Sequence, residues 1–325
     1  RSSAASDVYK RQKKNKYSRN HKHNLQKENS FNHGVTMEYI NLFYYNDKPN
    51  FGDRLITDIC KDIFNLQTAH TSAKDCEAAF IGSILECFLT TQTDHPLCFT
   101  KYFKTGVKIW GPGFIKSADF EESKNNLIRK IEVFALRGSL TKKRLEKILG
   151  KKLDVPLGDP GLLASMLIDT KKIKKEYELG IIPHYIEFEE PVYHQIHENI
   201  PNSLLIDIQD TPAVVLKNIA KCKAVISSAM HGLIAADSLA IPNMRVFASD
   251  KITGGDYKFD DYYSAFGLTS HKKMDLRTSN FSQSDIEKIY NSYLINYNAV
   301  EDIKEKWQDL SRNSKFHAIF ATSSI

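Results

Sequence analysis

No run in this 325-residue chain strings together the roughly 18–20 apolar residues that a membrane-spanning helix requires. The sequence is therefore read as that of a soluble, cytoplasmic protein, touching the inner face of a membrane at most peripherally. Cysteine is scarce and unpatterned: Cys60, Cys76, Cys87, Cys98 and Cys222 are odd in number and include no CxxC pair. That arithmetic argues against a disulfide framework or a zinc site, and for reduced thiols in apolar surroundings. No metal-ligand set stands out. Asp256, Asp260 and Asp261 cluster, but beside Tyr262 and Tyr263 they read as residues that cap and face a helix. No short internal repeat and no low-complexity block follows residue 36.

Acidic residues are missing from one place. Residues 1–36 hold 9 of the 45 Lys and Arg but only 2 of the 39 acids. Taking them away leaves 36 basic against 37 acidic residues, so the basic pI of about 8.8 belongs to this tail. Nothing in the remaining charge balance points to nucleic acid. The segment is also almost empty of large apolar residues and lacks the apolar core of a signal peptide. It reads as a disordered tail, with residues 1–12 as a sequencing-adapter artefact and Met37 as the natural start.

From Met37 onward strand-like and helix-like segments alternate. Tyr39–Tyr45 reads as a strand, followed by a helix carrying Leu55, Ile56, Ile59 and Ile63. Further strands are expected at Ala78–Ile81, Val107–Trp110, Val133–Leu136 and Leu153–Leu157, with a helix over Thr141–Leu149 and another starting at Gly158–Gly161. The second half continues with Leu179–Ile182, Ser203–Ile208, a Pro212–Lys221 helix, Ala224–Ile226 and Met244–Phe247. One or two closing helices span Ser282–Trp307. This rhythm argues for an α/β protein with parallel sheets and helices on both faces. The chain length fits two Rossmann-like domains facing across a cleft, a GT-B-like arrangement. The expected N-terminal domain covers 37–170 and the C-terminal one 171–325, since Asp169–Lys175 is charged and weakly patterned.

The stretch Ser227-Ser228-Ala229-Met230-His231-Gly232 places a histidine where a buried strand hands over to a helix, with Gly232 leaving room above the first turn. Open α/β sheets bind ligands outside the carboxyl ends of their strands, against free backbone N–H groups. An imidazole there can move protons near neutral pH; it can equally be a satisfied histidine at the start of a core helix. Other loops fall at strand ends too. Asn50, Gly52 and Asp53 follow the first strand, where Asn50 or Asp53 either caps the helix or holds a hydroxyl and Gly52 admits a close approach. Arg137 ends the fourth strand with a guanidinium that can grip an anion in two bonds. His184 follows Gly180-Ile181-Ile182, and Asp159 orients its turn.

Taken in order, Pro49-Asn50-Phe51-Gly52-Asp53, Ile81-Gly82-Ser83-Ile84-Leu85, Trp110-Gly111-Pro112-Gly113-Phe114, Ala135-Leu136-Arg137-Gly138 with Thr141, Gly158-Asp159-Pro160-Gly161-Leu162-Leu163, Ile182-Pro183-His184-Tyr185 and Ala229-Met230-His231-Gly232 resemble the polysaccharide pyruvyl transferase family. The resemblance covers roughly Tyr39 to Gly267 and is closest to the succinoglycan and xanthan ketal-pyruvate transferases, which work in bacterial exopolysaccharide or capsule synthesis. It implies transfer of a pyruvyl unit from phosphoenolpyruvate onto two hydroxyls of one sugar, giving a cyclic ketal. It implies no cofactor and no metal, and an acceptor carried on a lipid-linked oligosaccharide. By the same resemblance His231 is the acid/base and Arg137 the catalytic anion grip, with Asn50, Gly52, Asp53, His184, Ser228 and Gly232 binding substrate. Other branches have an arginine where this chain has Ala229; Arg245, Lys251 and Lys258 are the cations open to replace it. Tyr262 and Tyr263 are the aromatic pair considered for membrane contact. The rival readings are a glycosyltransferase using a nucleotide-sugar donor in the same cleft, and an inactive polysaccharide-assembly protein.

Overall fold

Among the described residues two five-stranded sheets, every neighbouring pair parallel, carry the fold. The structure is a computed structural model that describes residues 39–90 and 106–312; Cys98 and the tail before Met37 lie outside them. The first sheet comprises β1 (Ile40–Phe43), β2 (Thr68–His70), β3 (Ala78–Ala79), β4 (Val107–Trp110) and β5 (Ile131–Ala135), in the order β2-β1-β3-β4-β5. The second comprises β6 (Tyr177–Ile182), β7 (Ser203–Leu205), β8 (Cys222–Ser227), β9 (Asn243–Phe247) and β10 (Lys273–Asp275), in the order β10-β9-β8-β6-β7. Counted within its own sheet, each has the doubly wound order 2-1-3-4-5. The interior strands β4 and β8 are nearly continuous apolar runs because helices and loops cover both their faces.

The helices follow from familiar signals. Asn50 caps α1 (Phe51–Asp62), whose Leu55, Ile56 and Ile59 face the core. α2 (Ser139–Leu149) ends on Gly150 in the left-handed conformation. Pro191 and Pro212 open α3 (Pro191–Asn199) and α4 (Pro212–Ala220) at the position where a missing N–H costs nothing. α5 (Met230–Ser238) is buried along its whole length, with no distinct polar face. α6 (Tyr257–Ser264), α7 (Gln283–Ser292) and α8 (Tyr297–Arg312) complete the set among the described residues. Helix α8 lays Val300, Ile303 and Trp307 into a core that also holds Phe64 and Trp110 of the first sheet's side. The described residues from Tyr39 onward cluster as one compact unit.

The structure corrects several expectations. Leu153–Leu157 forms no strand; its backbone pairing is one isolated bridge, Leu157 to Leu136 just past β5, made by the Pro156 carbonyl and the Gly158 N–H. The helix after Gly158–Gly161 is a 3-10 segment, Pro160–Leu167, whose side chains pack on α5 and α1. Tyr262 and Tyr263 are buried, with the Tyr262 hydroxyl donating to Asp237 at 2.7 Å, so neither ring is offered to a membrane. Asp261 caps a different helix from the one it sits on: it accepts from the Thr141 N–H and hydroxyl of α2, both at 2.7 Å. Asp256, preceding α6, makes no cap bond and pairs instead with Arg245 and Lys273. Cys60, Cys76 and Cys222 are free and buried, as the composition suggested, while Cys87 is free and exposed. No helix among the described residues is long and apolar enough to cross a membrane.

Candidate active site

In a 2-1-3-4-5 sheet the chain winds both ways from the boundary between its first and third strands, and a crevice opens there at the carboxyl ends. In the first sheet the loops and helix starts at that boundary follow β1 and β3, and carry Asn50, Gly52, Asp53 and Ser83. In the second they follow β6 and β8, and carry His184, Ser228, His231 and Gly232. Of the residues given a catalytic or binding role by the resemblance, all but Arg137 thus stand at a switch point. A pocket of about 370 Å³ joins the two sets, lined by Asn50, Asp53, Ser83, His184, His231 and Lys258 among others.

The first-sheet wall is the start of α1. Asn50, extended at φ −150°, accepts the Gly52 N–H through Oδ1 at 3.2 Å and donates through Nδ2 to Asp53 at 2.8 Å. Both expected capping groups therefore serve the helix start and each other. Asp53 is nevertheless buried, and burial pushes its carboxyl up to about 7, against the lowering pull of Asn50 and Lys258. A carboxyl protonated more readily when folded than when unfolded makes stability decline as pH rises from about 4 through 7. Asp53→Asn is therefore expected to raise the melting temperature at pH 8, by a gain on the order of a few kcal/mol, and to lose most of that gain by pH 5. An equal gain at both pH values would contradict the assignment.

His231 stands in the first turn of α5, only 8% exposed. The close approach expected at Gly52 is made by the imidazole, which fills the room the glycine leaves. A Cβ on Gly52 would lie 1.9 Å from Nδ1 of His231 and 2.1 Å from Cγ. The space over Gly232 is likewise taken, by the Ser227 hydroxyl, which would be 2.5 Å from an added Cβ. Burial, together with the Arg137 and Lys258 charges, holds His231 down to about 3, so the ring is neutral at working pH. Its Nε2 has no hydrogen-bond partner and faces Oδ2 of Asp159 across 4.0 Å. Asp159 accepts the Gly161 N–H with its other oxygen at 2.8 Å. Burial raises its carboxyl to about 6.

The remaining residues divide. The His184 ring lines the pocket, is held near pKa 3 by burial and then by Lys258, and its backbone N–H donates to Ser228 Oγ at 2.8 Å. Ser228 itself borders a neighbouring cavity of about 360 Å³ that also holds Arg245. Arg137 does not line the pocket. Its guanidinium, fully buried, donates to Asp261 (2.9 Å), Ser83 (2.6 Å) and the Phe114 carbonyl (2.6 Å). The structure also separates the three cations left open to replace the arginine absent at Ala229. Lys258 reaches the pocket with His231, held down to about 8 by burial and the Arg137 and Arg245 charges. Arg245 is tied to Asp256 and stacked on Phe259, and Lys251 pairs with Glu190 at the surface. Sequence reasoning had no means of ranking Lys258 first, nor of pairing Asp159 with His231. Among the described residues, no three His, Cys, Asp or Glu side chains group as metal ligands.

This geometry can be set beside known proteins. The family model of polysaccharide pyruvyl transferases matches residues 3–250. The chain belongs to that family, a family of transferases. The matched span opens ahead of Met37, and it contains Asp53, Arg137, Asp159, His184 and His231; Lys258 lies just past its end. The chain is also similar to an uncharacterized protein of Acanthamoeba polyphaga mimivirus, with 39% identity over 140 residues, 42% of this chain and 49% of that protein. It thus spans about half the length of the curated relative it matches.

Proposed function

We propose that this chain transfers a pyruvyl group from phosphoenolpyruvate to two hydroxyls of one sugar, forming a cyclic ketal in the manner of the succinoglycan and xanthan enzymes. The observation that carries the reading is the meeting of His231 and Lys258 with Asp53 and His184 in one pocket at both switch points. The donor brings a phosphate and a carboxylate. Lys258 supplies a cation whose lowered pKa recovers as the anion arrives, because an opposite charge favours the protonated amine. Helix α5 supplies its positive end, and Ala229 at its N-cap has no side chain to occupy the first N–H groups. The missing arginine is thereby offset by Lys258 and an open helix start. Arg137 acts from behind the pocket, setting Ser83 and adding positive potential.

The proton count favours a single relay. Of the two hydroxyl protons, one ends in the new methyl group and the other on the departing phosphate. A neutral His231 accepts the proton of the first attacking hydroxyl and returns it to the methylene carbon as the C–O bond forms. The second hydroxyl then closes the ketal as phosphate leaves with its proton. Binding both substrates beside one relay removes the entropic part of the barrier. The acceptor, a sugar of a lipid-linked oligosaccharide, is placed on the 37–170 side of a GT-B-like cleft, at the cytoplasmic membrane face.

Incubation with phosphoenolpyruvate and a panel of lipid-linked oligosaccharides should release phosphate and add the pyruvyl mass to one acceptor. His231→Ala should lower kcat by about 10²–10⁴-fold, the usual worth of a positioned acid/base. Stabilisation by a sugar nucleotide with indifference to phosphoenolpyruvate would support the glycosyltransferase instead. Unchanged ketal formation in His231→Ala would remove this histidine from the chemistry.

A further inference from the structure

Two buried polar atoms face each other without partners: Nε2 of His231 and Oδ2 of Asp159, 4.0 Å apart. Buried polar groups are nearly always hydrogen-bonded, and an orphan costs about 1–3 kcal/mol. Two orphans aimed at one another are a bond held slightly open. The surroundings fix both ends. Asp159 is pinned by the Gly161 N–H on its other oxygen. The imidazole is wedged against Gly52 on its Nδ1 edge, and its Cδ2 lies 3.7 Å from where a Cβ on Gly161 would be. The Cδ2–Nε2 edge therefore turns toward the Asp159–Gly161 turn, and the Nδ1 edge turns away from it.

We propose that Asp159 is the positioning partner of His231: its inward Oδ2 selects the Nε2–H tautomer, leaving Nδ1 as the nitrogen that exchanges protons with substrate. The inference rests on reading His231 as the proton relay. When Nδ1 takes the hydroxyl proton, the ring becomes an imidazolium with one N–H toward Asp159. The gap then closes to a charge-assisted hydrogen bond of ordinary length. When Nδ1 gives that proton to the methylene carbon, the ring returns to the Nε2–H form, with no net proton gained or lost. The pair has the logic of an Asp–His unit with the two ring nitrogens exchanged. Other charges act on it as well. Arg137 and Lys258 oppose protonation of the ring. Arg137 and Asp261 act in opposite senses on Asp159, and Asp159 in turn raises Asp53. At the far end of α5, Asp237 is held by Asn243, Tyr262 and Tyr293, and Lys304 donates to the Ser238 carbonyl.

The tautomer can be read without any turnover, from two-bond nitrogen–proton correlation spectra of histidine-labelled full chain at pH 7. The wild type should show His231 protonated on Nε2. Asp159→Asn keeps the oxygen that accepts from Gly161 and places an amide opposite the ring. It should convert His231 partly or wholly to the Nδ1–H form. In the same variant kcat should fall by about 10²–10⁴-fold with the donor KM little changed. The acid limb of the kcat/KM profile should move to lower pH, because an imidazolium without its carboxylate is less stable. A wild-type ring protonated on Nδ1, an unchanged tautomer in the variant, or a kcat within about threefold of wild type would overturn the proposal. If the variant does not fold, the wild-type spectrum alone decides. If the wild type turns over no phosphoenolpyruvate, the functional reading fails while the tautomer still tests the pair.

Discussion

Gly52→Ala is expected to cost about 10²-fold or more in kcat while leaving the fold standing. The substitution adds one methyl group on the first turn of α1, where alanine is by itself the better helix former by about 1 kcal/mol. Yet that methyl would sit 1.9 Å from Nδ1, 2.1 Å from Cγ and 2.5 Å from Cβ of His231. No small adjustment relieves such an overlap, because the opposite edge of the ring already faces the Asp159–Gly161 turn. Either α1 backs away or the imidazole swings into the pocket. Both displace the relay by more than proton transfer tolerates. Overpacking of this kind typically costs 1–3 kcal/mol, so melting should drop despite the gain in helix propensity. A double-mutant cycle separates the two effects. Adding His231→Ala removes the obstacle, so the double variant should melt above Gly52→Ala alone and remain inactive. If Gly52→Ala turns over normally, or the second substitution restores no stability, the imidazole does not rest on Gly52.

The same contact shows what a sequence reading reaches and where it stops. The alternation of apolar runs and loop residues foretold two parallel sheets, and glycine beside Asn, Asp or His marked which loops mattered. Those loops were legible because the carboxyl end of a strand is a local feature, written in five or six consecutive residues. Thus Asn50, Asp53, His184 and His231 converge on one pocket. What fills the space a glycine leaves is not local: the tenant of Gly52 comes from 179 positions further along the chain. The three-residue strands β2 and β10 escaped notice because, unlike the comparably short β3 and β7, they hold no fully buried residue and form no apolar run. Leu153–Leu157 erred the other way; its apolar side chains cover a core, but its backbone forms only one isolated bridge, to Leu136 just past β5. Lys258 was visible only as one cation among three. Its selection depends on α6 packing against α2, which brings a buried lysine from beyond the His231 helix back to the pocket. Burial then gives it the lowered pKa that a surface lysine would lack.

Arg137 carries the other large effect, and it is expected to appear in stability before activity. The side chain was read as a grip on the donor; its guanidinium is wholly buried and committed to Asp261, Ser83 and the Phe114 carbonyl, with the Met230 sulfur a weaker fourth contact. One of them, Asp261, lies 124 positions away and simultaneously caps α2 through Thr141. The pair thus ties the loop after β5 to α6, the helix that carries Lys258. Removing one member of a buried pair leaves an uncompensated charge, at a cost of about 3–5 kcal/mol. Arg137→Ala should therefore unfold at markedly lower denaturant, with its m-value unchanged if the transition stays two-state. Arg137→Lys should recover only part of the loss. One ammonium cannot match a planar fork that reaches Asp261 with Nε, Ser83 with Nη1 and the Phe114 carbonyl with Nη2. Combining Arg137→Met with Asp261→Asn should recover more, since the asparagine still accepts from Thr141 and no buried charge is left alone. These outcomes separate two roles for the arginine. A donor grip would show as a raised KM for phosphoenolpyruvate in a protein of normal stability. A clamp behind the pocket predicts the reverse: a large stability loss in Arg137→Ala, a rescue by the charge-free double substitution, and activity that returns with the position of α6.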